Sequence, residues 1–412
     1  MLRILLLLLI IVRNGVQMAI NLHTCLTMVP VEIRKDKKHY IVEDKFSGEF
    51  YEMPEVCIEA IQLIILGEQL GDIERKLKRR FPQEEVKLLD FVTQLLELDL
   101  IDQVDGIKVE KQEKQKDSLG FLWISPQAGK LFFNKFTYPF YITLFLLNIV
   151  LFITFPSLLP HHEDIFVLDV MVINALLWMS FTFLLVLVHE FGHILAMRAH
   201  NLPTKLEVGH RLFFVVLETD MSSVWKLAPK DRNVLYLAGL CFDNVILFTA
   251  LIIQLLIPSG HEFMSGLMSL VVFDVVLRMI YQCCFYLKTD LYYVFENVTG
   301  CYNLMENALQ AIRKQLPFLK SKSSEQVSFI SERKTITIYA IFYFIGIAIS
   351  IALYFIFYIP EVIHAGKQLL PGFGMVPTSL AFWDAVLFSL QISIFLMLLL
   401  YSYWKKYRRI KV

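Results

Sequence analysis

Two kinds of hydrophobic pattern divide the chain. From about Val29 to Lys116 apolar positions alternate with charged ones, whereas from about Phe136 onward they form long uninterrupted runs. Six of these runs have the length of about 20 residues that a helix needs to cross a bilayer. They predict spans at Tyr138–Leu159, Phe166–Met197, Val234–Ile257, Gly266–Leu287, Ile336–Tyr358 and Leu380–Trp404. We therefore expect a mainly α-helical, polytopic membrane protein.

The mixed pattern of the N-terminal part predicts a small α+β domain over residues 29–116. "KHYIVED" and "GEFYEM" are expected to be strands. Three helices follow at "PEVCIEAIQLIILG", "GDIERKLKRRF" and "PQEEVKLLDFVTQLLELDLI", the first and third led by proline. A last strand and turn at "LIDQVDG" completes a winged-helix pattern, and residues 117–136 are a predicted linker. Residues 1–28 begin with the apolar run "MLRILLLLLIIV", for which a weak anchor and a later start at Met18 or Met28 stay open.

The charge of the predicted domain argues against nucleic acid as a partner. Residues 29–116 hold 15 Lys and Arg against 20 Asp and Glu, a net charge of −5. Phosphate binding requires a basic surface, and only the run "RKLKRR" offers one. A solvated helix face explains that run better than DNA binding does.

Composition and loop charge support a multi-pass protein of the cell membrane. Hydrophobic residues make up 56% of the chain, too many for an ordinary soluble protein of this size. The loops "PSLLPHHED" and "IPSGHE" carry no Lys or Arg, whereas segments 201–233 and 288–334 carry five and seven. The tail "KKYRRIKV" carries five more. Because basic loops stay on the cytoplasmic side, the N-terminal domain and the C-terminus are both predicted to be cytoplasmic. The six cysteines lack a C-x-x-C spacing and are expected to be reduced.

The second predicted span carries three ionisable residues in the stretch "VLVHEFGHILAM". His189 and His193 are one helical turn apart, which places both imidazoles on one face, and Glu190 lies beside them. This pattern suits a zinc ion that keeps one position open for water, with Glu190 as the general base. Ionisable residues inside an apolar span are rare and usually functional, which favours a metal site over a chance pattern.

A third protein ligand must come from another part of the chain. Asp290, in "CCFYLKTDLYYVFENVTG" at the end of the fourth predicted span, is the preferred candidate. The loop charges place it near the same side of the membrane as the two histidines. His200 and His210, in the basic loop after the second span, are the alternatives.

Two further ionisable residues are expected to be buried in the bundle. Asp274 and Arg278 lie one turn apart on the fourth predicted span. Arg278 is expected to pair with Asp274, or with Asp243 on the third span, and a structural ion pair is favoured over a catalytic role.

These motifs together resemble the site-2 protease class of intramembrane zinc metalloproteases. The resemblance rests on "HEFGH" with a later aspartate at a span end, on the hairpin-like segment "VGHRLFFVVLETDMSS", and on "AGLCFDN" in the third span. "KTDLYY" is similar to the motif N-P-x-x-K-x-D-G-Y-Y of a bacterial branch. Cys284, Phe285 and Leu291 stand where that motif has Asn, Pro and Gly.

The resemblance implies a metalloprotease core over residues 137–305, with a short β-hairpin near the active site. Two C-terminal spans and a basic tail follow over residues 306–412. The implied roles are zinc ligands for His189, His193 and Asp290, catalysis for Glu190, and support of the site for Asn244. A simple hydrogen bond between helices is the alternative for Asn244.

Many members of that branch carry an N-terminal domain like the small leader-peptide chaperone of pyrroloquinoline quinone biosynthesis, which "FYEMPEVCIEAIQLIILG" resembles. This implies a zinc endopeptidase acting at or near the cytoplasmic face, in leader removal or maturation of a ribosomally made, modified peptide. A radical-enzyme modifier and an export transporter are the implied partners. Two alternatives stay open: a non-catalytic docking, export or immunity component that keeps the fold, and a regulatory intramembrane protease.

Overall fold

The structure is a computed structural model, and it describes residues 9–13, 16–37, 39–84, 86–110, 120–168, 171–211, 214–258, 260–315 and 333–411. The protein is mainly helical, with 67% helix, as predicted. It divides into two compact units. The first holds the N-terminal part up to Ser118 together with Trp225–Pro229, and the second holds Leu119–Val224 and Lys230–Val412.

The first unit combines helices with small antiparallel sheets. Its described strands are β1 Leu9–Arg13, β2 Val16–Ile20, β3 Leu26–Met28, β4 Val31–Asp36, β5 His39–Asp44, β6 Phe50–Met53, β7 Ile101–Val104 and β8 Ile107–Lys108. Its described helices are α1 Glu55–Ile65, α2 Leu70–Arg80 and α3 Leu88–Glu97. The strands pair in the orders β4–β5–β6 and β3–β7–β8, and β1 pairs with β2 as a separate hairpin.

Three details of this unit differ from the sequence prediction. β4 was not predicted, although it pairs along its whole length with β5. The third helix begins at Leu88 and not at Pro82, which lies in a turn. The described part of the N-terminal apolar run, β1, is a strand, and residues 1–8 lie outside the described residues.

The basic residues of the run "RKLKRR" lie on the solvent-facing side of α2. Leu70, Ile73 and Leu77 are buried on the opposite side of this helix. Four of the basic residues pair with nearby carboxylates, namely Arg75, Lys76, Lys78 and Arg80. The helix is thus amphipathic, with a charged face on which most cations already have anionic neighbours.

The second unit contains the membrane helices. Its described helices are α4 Pro126–Phe132, α5 Thr137–Thr154, α6 Met171–Ala199, α7 Pro229–Tyr236, α8 Ala238–Leu256, α9 Glu262–Gln282, α10 Asp290–Thr299, α11 Leu304–Gln315, α12 Arg333–Leu353, α13 Ile359–Leu369 and α14 Leu380–Lys411. Among the described residues, six segments are helical, long and apolar enough to cross a membrane, as predicted. They contain α5, α6, α8, α9, α12 and α14.

The fourth predicted span ends earlier than the sequence suggested. It was expected to reach Leu287, but α9 ends at Gln282 and a short 3₁₀ turn at Phe285–Leu287 follows. Lys288 then adopts a left-handed conformation with φ of 53°. Asp290 therefore opens the next helix, α10, and does not lie at the end of the span.

Two glycines let α6 and α8 come close together. A Cβ atom at Gly192 of α6 would lie 2.7 Å from the backbone oxygen of Ala238. A Cβ atom at Gly239 of α8 would lie 2.3 Å from Nε2 of His189. Both contacts are too short for any side chain, so glycine at these positions allows α8 to pack directly against the imidazole.

The predicted hairpin after α6 is present. β9 Leu206–Arg211 and β10 Phe214–Thr219 pair as an antiparallel ribbon. The last residue of β10, Thr219, is buried and hydrogen-bonds to Glu190 of α6. The hairpin therefore ends beside the helix that carries the predicted metal ligands.

Candidate metal centre

His189, His193 and Asp290 meet at one buried point. The Nε2 atoms of the two histidines are 3.3 Å apart. Oδ2 of Asp290 lies 3.0 Å from Nε2 of His189 and 3.3 Å from Nε2 of His193. All three side chains are buried, and together they can hold a metal ion. The three ligands predicted from the sequence are thus brought together.

The spacing of these atoms fits a small tetrahedral ion. Metal–ligand bonds of about 2.0–2.1 Å, as zinc makes to imidazole nitrogen and carboxylate oxygen, place neighbouring ligand atoms about 3.3 Å apart in a tetrahedron. The observed separations are 3.0–3.3 Å. The side chains therefore need little movement to accommodate such an ion.

The outer nitrogen of each imidazole faces a hydrogen-bond acceptor. Nδ1 of His189 lies 2.7 Å from Oδ2 of Asp243, and Nδ1 of His193 lies 2.9 Å from the backbone oxygen of Leu235. A carbonyl or carboxylate oxygen only accepts, so Nδ1 carries the proton in both rings. Each Nε2 then presents its lone pair to the centre, the arrangement found around metal-binding histidines.

Gln282 holds Asp290 in place from the end of α9. Its Nε2 donates to Oδ2 of Asp290 at 2.8 Å, and its Oε1 accepts from the backbone N–H of Asp290 at 2.9 Å. The hydroxyl of Thr289 donates to the backbone oxygen of Gln282 at 2.7 Å. Burial disfavours ionisation of Asp290, but imidazoles that carry a proton on Nε2 outweigh it and hold the pKa of this carboxyl well below its usual range. A cation bound between the three side chains would replace those protons and favour the same ionised form of Asp290.

Glu190 is buried beside the ligands on α6. Its Oε2 accepts a hydrogen bond from the hydroxyl of Thr219 at 2.7 Å. It is not one of the three converging ligands. One oxygen of its carboxylate is therefore fixed by the hairpin.

Asn244 forms hydrogen bonds between helices, one of the two roles expected for it. Its amide donates to the backbone oxygen of Tyr141, and its Oδ1 accepts from the amide of Asn148 at 2.6 Å. Asn244 thus joins α8 to α5, the alternative role of a hydrogen bond between helices. Its neighbour Asp243 is the residue of α8 that contacts a predicted ligand.

One of the two alternative third ligands, His200, lies away from the point where the three side chains meet. His200 is exposed in the turn after α6, and it is not among the converging ligands. His210 belongs to β9, and its side chain lies outside what the structure describes.

Arg278 joins both of its expected partners. Its Nε donates to Oδ2 of Asp274 at 3.0 Å, and its Nη2 lies 3.0 Å from Oδ1 of Asp243 as an ion pair without hydrogen-bond alignment. The other oxygen of Asp274 accepts from the hydroxyl of Thr182 at 2.5 Å and from the indole of Trp178 at 3.3 Å. A continuous polar network thus leads from His189 into the apolar bundle.

The arrangement can bind a cation and place a carboxylate beside it. The sequence patterns predicted the three candidate ligands but gave no site role to Asp243, Gln282 or Thr219. A charged residue inside a span is itself a signal of function, which would have pointed to Asp243. No protein-family model, curated protein or solved structure matches this chain.

Proposed function

We propose that the protein is a zinc-dependent membrane endopeptidase of the site-2 protease type. The observation that carries this proposal is the convergence of two imidazole nitrogens and one carboxylate oxygen at a buried point, with both outer nitrogens bonded to acceptors. A second carboxylate, Glu190, lies on the same helix beside the ligands. Two histidines and one aspartate can hold a catalytic zinc ion with one position open, and a separate glutamate can act as the base in metal-assisted hydrolysis.

Charge supports a divalent ion at this point. Asp290, Asp243, Asp274 and Glu190 are buried, and the partly exposed guanidinium of Arg278 pairs with two of them. When ionised, these groups leave a net negative charge at the site, which is costly without a counter-ion. A dication offsets most of that charge. Mixed nitrogen and oxygen ligands favour zinc over magnesium or calcium, which prefer oxygen alone.

The chain's own residues suggest how the reaction is performed. When bound, zinc acts as a Lewis acid and lowers the pKa of water to about 7. Glu190 accepts the proton of the attacking water and then delivers it to the leaving amine nitrogen. The hydroxyl of Thr219 restrains one carboxylate oxygen, which keeps the base oriented.

The hairpin offers a way to hold an extended substrate. In the described residues β9 and β10 pair only with each other, so each strand has an outer edge without a strand partner. An extended peptide can add to such an edge through main-chain hydrogen bonds. Thr219 at the end of β10 would bring that peptide close to Glu190.

We place the reaction in leader removal or maturation of a ribosomally made, modified peptide at the cytoplasmic face of the cell membrane. The N-terminal α+β unit would act as a leader-binding domain that raises the local substrate concentration. A radical-enzyme modifier and an export transporter would act on the same peptide. The basic loops support cytoplasmic placement of the N-terminal unit and the C-terminus.

The test compares peptide termini in the native cells. The gene is replaced by a Glu190→Gln variant or, as a matched control, by a Glu163→Gln variant, since Glu163 is an exposed residue of a short 3₁₀ helix between α5 and α6. Mass spectrometry of labelled N-termini should show a fragment in wild-type and Glu163→Gln cells that disappears in Glu190→Gln cells. Identical fragments in all three strains would overturn the peptidase and favour a non-catalytic docking, export or immunity component. Loss of a fragment from a membrane-bound transcription regulator would favour a regulatory protease.

A further inference from the structure

We infer that Arg278 is a positioning residue of the metal centre, which fixes Asp243 and, through it, the imidazole of His189. This inference rests on the metal site of the proposed function. Arg278 belongs to α9, Asp243 to α8 and His189 to α6. The contacts run from Arg278 Nη2 to Asp243 Oδ1 at 3.0 Å and from Asp243 Oδ2 to His189 Nδ1 at 2.7 Å.

The two oxygens of Asp243 are divided between these partners. Oδ2 faces the imidazole and Oδ1 faces the guanidinium, so the carboxylate plane is set from both sides. Asp243 is 1% exposed, so its carboxylate depends on these protein partners and not on bulk water. Without Arg278 the carboxylate would be free to turn away from His189, and the ring would lose the acceptor that fixes its orientation.

Arg278 is itself held by a second carboxylate. Asp274 accepts from its Nε at 3.0 Å and is anchored in turn by Thr182 and Trp178. These two anchors lie on α6, about two and three turns before His189. The network therefore leaves α6, crosses α9 and α8, and returns to α6 at the metal ligand.

This closed path explains why an arginine is suited to the position. A guanidinium presents several donors in a rigid plane, so it can contact carboxylates on two helices at once. A lysine ammonium is a compact point charge and cannot reproduce that planar geometry. The network thus fixes the spacing of three helices around the site as well as the ring of one ligand.

The inference is tested with zinc affinity, measured by competition with a chromogenic chelator on the full chain in detergent. Asp274→Asn removes the carboxylate that holds Arg278 but leaves the contact between Arg278 and Asp243, so its zinc affinity should fall less than that of a variant that also lacks the guanidinium. The double variant Arg278→Met with Asp274→Asn loses that contact, and its affinity should fall about 10- to 100-fold. Arg278→Lys keeps the positive charge but not the planar guanidinium, and its zinc affinity should fall at least about tenfold.

Two further measurements separate positioning from a structural role. The unfolding temperature in excess chelator reports on the metal-free fold, and it should be similar in Arg278→Lys and wild type. The visible absorption of bound Co²⁺ reports on ligand geometry, and it should change in Arg278→Lys. The inference would be overturned if Arg278→Lys kept the zinc affinity and the Co²⁺ spectrum of wild type. It would also be overturned if the double variant bound zinc as tightly as Asp274→Asn does. Failure of the wild type to bind zinc would instead overturn the proposed function.

Discussion

Replacing Gln282 by alanine should weaken metal binding although Gln282 is not a ligand. The substitution removes two hydrogen bonds to Asp290. One runs from the Gln282 amide to Oδ2 at 2.8 Å, and the other runs from the Asp290 backbone N–H to the Gln282 amide oxygen at 2.9 Å. It leaves the backbone oxygen that accepts from Thr289. Asp290 would therefore stay at the start of α10 but lose the two contacts that orient its carboxylate.

The size of the effect follows from the two lost bonds. A hydrogen bond to a charged group contributes about 1.5–3 kcal/mol, and a buried N–H left without an acceptor costs about 1–3 kcal/mol. Both bonds are present without a metal, so part of each cost falls on the metal-free and metal-bound protein alike. The affinity falls because the freed carboxylate must be oriented again when the metal binds, and we expect a loss of about 10- to 100-fold in zinc binding.

The assay is chelator competition with the purified chain in detergent. Gln254→Ala is the matched control, because Gln254 also forms a hydrogen bond between two helices, from α8 to Ser269 of α9 at 2.9 Å, without contacting a candidate metal ligand. This control should bind zinc as tightly as wild type. Unchanged affinity in Gln282→Ala would refute the idea that Asp290 depends on this contact.

Three further outcomes are expected. Thr219→Val should slow peptide hydrolysis about tenfold at unchanged zinc content, and Thr219→Ser should restore it, because only the hydrogen bond to Glu190 is lost. Gly239→Ala should abolish zinc binding in a metal assay, because its Cβ would lie 2.3 Å from Nε2 of His189. Burial raises the pKa of Glu296 to about 7, above its ordinary value of 4.5. Thermal unfolding should therefore show stability falling by up to about 3 kcal/mol as pH rises from about 4.5 to 7, and Glu296→Gln should remove this dependence.

The candidate metal ligands were predictable because ionisable residues are rare inside apolar spans. His189 and His193 carry a spacing that fixes them on one helix face, whatever the rest of the fold. Asp290 was found from loop charges, which place span ends on one side of the membrane. The predicted position of Asp290 at the end of a span was wrong, because the apolar residues after Gln282 continue the hydrophobic run beyond the end of α9.

Other parts of the site depended on information that a single sequence does not contain. Asp243 and Asn244 are adjacent, and neighbours on a helix point about 100° apart, so the rotation of α8 decides which one meets His189. Gln282 and Thr219 are neutral polar residues with no distinctive spacing. Their roles follow from the turn after α9 and from the register of the hairpin.

The central claim is that His189, His193 and Asp290 form one zinc site, and metal analysis tests it most directly. Zinc would be measured in the detergent-purified chain for wild type, His193→Ala, Asp290→Ala and the control His200→Ala. The predicted result is about one zinc per chain in wild type and in His200→Ala, and none in the other two. Wild-type protein that takes up no zinc from added metal, or Asp290→Ala protein that retains it, would contradict the account.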